Sequence, residues 1–309
     1  MLKLFLAAVV SLTGVRDSYP DLSPDGRSLL FTSNRSGRQA VWVAAADGSD
    51  PRILFDSPAI GDNPSSPRWS PDGKRIAFAM KPSGSTDAEE SEIYVMSARG
   101  DDVQRLTNTP GDDAHPHWSS DGKRIFFNSA RATPDLGAEW SRQWIDIYSM
   151  APDGGNLARH TDCRSVCSYP VPSPDGTMIA YRRVIDGPGF NWTLQPIQRN
   201  SEVFVAKTDG SYAVNVSNSP HFDGWPMWSP SGSWLVFASN RAGVPYSAQV
   251  YRVGAGGEGL VALTSGAYSR AQPSFSADGR QLFFYESAEG EGFEFGHIGR
   301  IDIDASARP

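Results

Sequence analysis

The stretch Pro67-Arg68-Trp69-Ser70-Pro71-Asp72-Gly73-Lys74-Arg75-Ile76-Ala77-Phe78 decides the fold, because its centre recurs along the whole chain. The other copies are Ser23-Pro24-Asp25-Gly26, Ser119-Ser120-Asp121-Gly122, Ser173-Pro174-Asp175-Gly176, Ser229-Pro230-Ser231-Gly232 and Ser276-Ala277-Asp278-Gly279. Successive glycines lie 47, 49, 54, 56 and 47 residues apart, a regularity that marks one structural unit repeated six times. A proline stands five residues ahead of each Asp, or of the serine replacing it: Pro20, Pro67, Pro116, Pro170, Pro226 and Pro273.

Working outward, each glycine is followed by a short apolar run such as Trp234-Leu235-Val236-Phe237. Two further strand-like runs follow, for example Glu92-Ile93-Tyr94-Val95-Met96 and a segment ending in Leu106-Thr107. Asp-Gly supplies the positive φ that tight hairpins need. Each unit therefore reads as four short antiparallel strands, one before the Ser-Pro-Asp-Gly turn and three after it. Four strands in a 40–50-residue period make a propeller blade, and six units make an all-β six-bladed propeller.

The pattern from Pro67 to Phe78 resembles the repeat of TolB and its relatives. The resemblance implies the propeller fold over nearly the whole chain and says less about function. The same propeller serves in periplasmic TolB, in prolyl-oligopeptidase relatives and in some polysaccharide lyases. TolB itself carries a further N-terminal α/β domain, whereas the repeats here begin near residue 19, so the resemblance does not imply a literal TolB role. It does suggest a periplasmic or secreted setting, with the cytoplasm left open.

Bulk composition narrows the function classes. A net charge of −7 argues against nucleic acid as the main ligand, because phosphate binding needs a basic field. No run of 18 apolar residues offers a helical membrane span. The last repeat is one strand short, and residues 9–13 (Val9-Val10-Ser11-Leu12-Thr13) are expected to supply it. That makes 9–309 a single, monomeric propeller. Residues 1–8 read as a signal remnant or an unstructured start; Lys3 and the apolar residues after it carry the signal-peptide alternative.

The Ser-Pro-Asp-Gly turns, and the Asp47-Gly48, Asp153-Gly154 and Asp209-Gly210 turns between third and fourth strands, fall on one face of such a propeller. The opposite face carries the longer connections, Ala130–Trp144 and Arg182–Asn200, which hold Trp140, Trp144, Phe190 and Trp192. Long loops on a rigid scaffold are where binding concentrates. Exposed aromatics there would suit sugar rings or proline-rich segments, although the same rings could instead pack on one another. The residues just ahead of the prolines, Tyr19, Ser66, His115, Tyr169, Trp225 and Gln272, are expected to ring the central channel. Asp17, Asp113 and Asp223 stand two residues earlier and are expected at its mouth as ligand-binding acids.

The run Asp112-Asp113-Ala114-His115-Pro116-His117 is the sharpest chemical cluster. Asp112, His115 and His117 are candidate ligands for a divalent metal, the one cofactor the sequence suggests. Oligogalacturonate lyases are similar in being propellers with a histidine-rich metal site. The bland alternative has His115 filling a channel position and His117 packing between blades. Cys163 and Cys167, four apart, are open to three readings: free thiols, a local disulfide or a share in a metal site. No nucleophile elbow, Walker loop or dinucleotide fingerprint occurs. The sequence thus favours a binding protein over an enzyme, its partner another protein or a glycan. The second reading is a carbohydrate-binding or carbohydrate-active propeller.

Overall fold

The computed structural model describes residues 14–85, 90–288 and 294–303. Among them are six antiparallel sheets, five of four strands and one of three, each ordered as a simple meander. The inner strands are Asp17–Leu22, Gly61–Trp69, Asp113–Trp118, Cys167–Pro172, Asp223–Trp228 and Ser269–Phe275, for blades 1 to 6 in turn. Each touches the next, and the sixth touches the first, so the six sheets form a closed propeller. The one helix among the described residues is a single 3-10 turn, Trp140–Arg142.

The Ser-Pro-Asp-Gly turns are built by side chains. In blade 2, Ser70 Oγ donates to Asp72 Oδ1 at 2.6 Å, while the same aspartate oxygen accepts from the Lys74 N–H at 3.1 Å. Ser70 Oγ in turn accepts from the Arg75 N–H at 2.9 Å, and the Gly73 N–H closes the turn on the Ser70 carbonyl. Gly73 has a φ of 68°, which glycine adopts without strain. Adjacent turns nest: a Cβ on Gly73 would lie 3.8 Å from the ring of Pro24, and Gly122 faces Pro71 in the same way. Blade 3 has Ser120 in place of the proline, and its hydroxyl instead donates to the Pro174 carbonyl at 2.6 Å.

The second strands explain why the apolar runs are continuous. Ile76, Phe78 and Met80 pack on blade 1, while Ala77 and Ala79 from the same strand face blade 3. A blade is covered on both faces, so alternate residues differ in size rather than polarity. Blades are also pinned to one another by tryptophans. Trp118 Nε1 donates to the Arg68 carbonyl at 3.2 Å, and Trp228 Nε1 to the Val171 carbonyl at 3.0 Å.

The seam between blades 6 and 1 is made like the other junctions. The Asp17 N–H donates to the Gly296 carbonyl at 2.9 Å, as Asp113 does to Ser91 and Arg270 to Ala248. Tyr19 N–H donates to Gln272 Oε1 at 2.9 Å across the same seam. Blade 6 shows three strands, ending with His297–Asp302. The closing strand expected from residues 9–13, and the reading of residues 1–8, lie outside the described residues.

One expected connection differs. Most of Arg182–Asn200 is strand: Met178–Phe190 and Pro196–Lys207 form one long hairpin. Gly187, Pro188 and Gly189 look like breakers in the sequence, but they are absorbed by a register shift between Asp186 and Gly189. Ala130–Trp144 is a loop, with the single 3-10 turn near its end.

Blade 5 carries Ser231 where the other turns have aspartate, and its contacts are longer: 3.0 Å to Ser229 and 3.4 Å from the Ser233 N–H. S231D should restore the tighter clamp and stabilise the protein by ~0.5–1 kcal/mol. Thermal unfolding of the two proteins checks this; an unchanged or lower midpoint would show that the clamp contributes nothing in this blade.

Candidate functional site

Every inner strand breaks register at a shared place, between Ser18 and Asp21 in blade 1 and at the corresponding residues of the other five, and blade 2 has a second break between Asp62 and Ser65. At each break the residue before proline has a positive φ: Tyr19 55°, Ser66 50°, His115 54°, Tyr169 56°, Trp225 51° and Gln272 53°. A non-glycine residue held there costs on the order of 1–3 kcal/mol, and a bulge of this kind re-aims a side chain. All six line one central cavity, with Arg68, His117 and Val171 one step further along. Only about 30 Å³ of that cavity is open to water, room for one or two molecules.

The ring is chemically uneven. His115 and Tyr169 pack with ring centres 3.8 Å apart, Tyr19 lies 6.3 Å from His115, and Trp225 lies 5.8 Å from Tyr169. Buried Asn128 ties two blades together here: its Oδ1 accepts from His115 Nδ1 at 2.8 Å and from the Tyr169 N–H at 3.3 Å. Burial holds His115 down at about 3 and His117 at about 3, so both imidazoles are neutral. Burial also pushes the Tyr19 phenol far up. Arg68, also in the cavity wall, donates to Asp21 at 3.1 Å.

The three acids expected at the mouth are elsewhere. Asp17, Asp113 and Asp223 are buried and ion-paired with Arg35, Arg131 and Arg241, the last two at 2.9 and 3.0 Å. Each arginine also donates Nε to a serine two residues before it, at 3.1, 2.7 and 2.9 Å. A buried carboxylate needs a charged partner, and the strand register puts one opposite. The sequence signal was available as three Ser-x-Arg triplets, Ser33–Arg35, Ser129–Arg131 and Ser239–Arg241. Blade 6 reverses the charges, with Arg270 in the acid's position bonding Glu286 at 2.6 Å. In blade 4 the same position is Cys167, which is disulfide-bonded to Cys163.

Asp223 has an acidic neighbour. Glu202 is buried beside it and accepts from Ser217 Oγ at 2.5 Å and Asn200 Nδ2 at 2.7 Å. Burial first, and the Asp223 charge after it, lift Glu202 to about 7.

The metal candidates are not brought into one set. Asp112 accepts from the Ser91 N–H at 3.2 Å, and His117 Nδ1 donates to the Trp118 carbonyl at 3.0 Å. A histidine with Nδ1 held by an oxygen is a normal metal ligand, so these hydrogen bonds are not what sets the candidates apart. No group of three His, Cys, Asp or Glu suited to a metal occurs among the described residues.

The aromatics of the long connections divide. Trp192, at the hairpin tip, packs edge-on against Trp225 at 6.2 Å and Phe222 at 5.5 Å. Asn240 and the Tyr246 N–H hold the tip by donating to the Asn191 and Trp192 carbonyls. Trp140 approaches the same group through Arg182, whose guanidinium carbon lies 5.0 Å from the Trp140 ring, 5.2 Å from Tyr169 and 5.9 Å from Phe222. Phe190 stacks on His221 at 5.3 Å, and Trp144 meets Arg164 at 6.0 Å; neither has a ring contact with this group. Arg182 and Phe222 escaped the sequence reading because nothing local marks them.

Residues 57–199 match the TolB beta propeller domain family. A Tol-Pal system protein TolB of Anaeromyxobacter dehalogenans is 37% identical over 95 residues, 30% of this chain and 20% of that protein. An uncharacterized protein of Agrobacterium fabrum is 28% identical over 274 residues, 86% of this chain and 83% of the relative. The matches to the first TolB relatives span only 20 to 30% of those proteins' length. Among solved structures, a candidate TolB from Agrobacterium tumefaciens superimposes with a TM-score of 0.67 at 23% identity, covering 96% of this chain and 92% of that one.

Two outcomes follow from the buried groups. A glutamic acid lifted from 4.5 to about 7 favours the protonated fold, so its contribution falls as pH rises between those values and is gone above them. E202Q should therefore match the parent near pH 4.5 and exceed it by up to about 3 kcal/mol at pH 8. Denaturant unfolding at the two pH values tests this, and a pH-independent difference would contradict it. Denatured, unreduced protein should show no titratable thiol, and reduction should cost about 2 kcal/mol of stability, the expected effect of so short a loop.

Proposed function

We propose that this chain, a TolB-like six-bladed β-propeller, is a non-catalytic binding module that takes a protein segment on its loop-rich face over the channel mouth. The observation that carries the reading is the convergence of Trp140, Tyr169, Trp192, Phe222 and Trp225 from three blades on one spot beside the channel. Trp140 is 39% exposed, an aromatic kept at the surface beside a packed cluster. Tyrosine and tryptophan at the centre of a rigid patch are the residues that dominate protein recognition. The titratable groups that Asn128 and Arg241 hold nearby, His115 and Asp223, are committed to those partners, which suits holding a ligand rather than turning one over.

The channel itself favours a slender occupant, since about 30 Å³ does not admit a sugar ring. A periplasmic or secreted setting belongs to the same reading, because the Cys163–Cys167 disulfide persists under oxidising conditions. The net charge of −7 disfavours nucleic acid as a partner.

Selection of a displayed peptide library on the purified protein tests the reading. Enriched peptides should bind W140A and W192A at least tenfold more weakly, roughly 1.4 kcal/mol, and bind L157A, at an exposed position elsewhere on blade 3, as they bind the parent. Equal binding to all three variants would move the site off this face. Failure to enrich any peptide, with binding to an oligosaccharide array instead, would replace the protein partner by a glycan.

A further inference from the structure

Among the described residues two arginines are fully buried, Arg182 and Arg270, and Arg182 departs from the pairing that Arg270 and three half-buried arginines keep. Arg35, Arg131, Arg241 and Arg270 each meet a carboxylate in the adjoining strand. Arg182 is just 6% exposed, forms no ion pair with a described residue, and has Nε and Nη2 buried without a hydrogen-bond partner. Its stem packs on Gly224, where a Cβ would come within 3.2 Å of Cδ. Its guanidinium stands among the rings of Trp140, Tyr169 and Phe222. Rings attract a cation, but they accept no N–H in the plane of the guanidinium, so the donating edge is left unanswered. Burial pushes the Arg182 pKa down, while Tyr169 and Tyr19 counter that. A buried polar group without a partner is costly, and in a native protein it calls for an explanation.

We propose that Arg182 is the anchor for a carboxylate, the C-terminal end of a peptide segment laid on the loop-rich face. This rests on the binding reading above and adds the chemistry of the anchored group. Nε and Nη2 present two parallel N–H bonds in the fork that a carboxylate fills. Tyr169 serves both places, touching the guanidinium with the same ring that lines the channel. Trp140 is the outermost ring of the cage and the one to move aside for entry. A peptide end is favoured over a sugar acid because the channel on the other side of the Tyr169 ring offers only about 30 Å³, too little for a pyranose.

The probe is acetyl-Gly-Phe with a free C-terminal carboxylate, compared with its C-terminal amide, galacturonate and inorganic phosphate by calorimetry and tryptophan fluorescence. The acid should bind saturably and at least tenfold more tightly than the amide. R182Q should lose that preference, R182K should keep part of it, and R182M should melt higher than the parent because a lone buried charge has been removed. Equal affinity for acid and amide, or a preference kept in R182Q, overturns the anchor. If the amide then still binds in a Trp140-dependent way, the binding face stands without it. Galacturonate or phosphate binding as tightly as the acid overturns the peptide end. Binding by no probe overturns the anchor and leaves the face to the display selection. If R182Q does not fold, the acid and amide pair on the parent protein decides alone. A lower melting point for R182M would assign Arg182 to holding the fold.

Discussion

One residue per blade is held with a positive φ directly ahead of a proline, and the rest of the architecture answers to that constraint. Proline disfavours the helical region for the residue before it, and the register break keeps the residue out of the regular ladder. The side chain is left pointing into the channel. In blade 2 that conformation persists because its surroundings over-determine it: the turn clamp below, the strand pairing on one side, and Trp118 of blade 3 on the other. Because backbone and proline set the geometry, the side chain is free to vary, and it does: Tyr, Ser, His, Tyr, Trp and Gln. Scaffold and site chemistry are thereby separated in the sequence.

The position two residues earlier shows the opposite behaviour. It is buried, so what stands there must be satisfied. Three blades place an acid against an arginine, blade 6 exchanges the charges, and blade 4 abandons charge for a disulfide. Substituting one partner alone would strand the other in a medium that tolerates no lone charge. Blade 4 is also where Arg182 stands without a carboxylate, so the departure from the repeat and the unpaired cation occur in one unit.

What could be read in advance follows from range. The Ser-Pro-Asp-Gly clamp spans six residues and has one solution, so the blade count and turn positions were legible. The channel ring was legible because the proline fixes its place in every repeat. The acids were misplaced because their partners, Arg35, Arg131 and Arg241, lie 18 residues on and across a hairpin, where only the strand register puts them opposite. The hairpin over 182–200 was read as loop because its glycines and proline mimic a break that the structure makes a bulge. Arg182 was invisible, since its distinction is a missing neighbour, and only three-dimensional packing shows that.

The seam between blades 6 and 1 sets the order in which the molecule can assemble. Within a blade, contacts are a few to a few tens of residues apart, and each sheet can form locally and fast. The bond from Tyr19 to Gln272 joins residues 253 apart, a closure entropy that no single blade has to meet. Closure of the ring is therefore the late step. Tyr19 and Gln272 line the channel only once it is complete. An open chain would present its blades almost intact yet have no enclosed channel, so the joined lining of Tyr19 and Gln272 arrives with the final act of folding and reports on it.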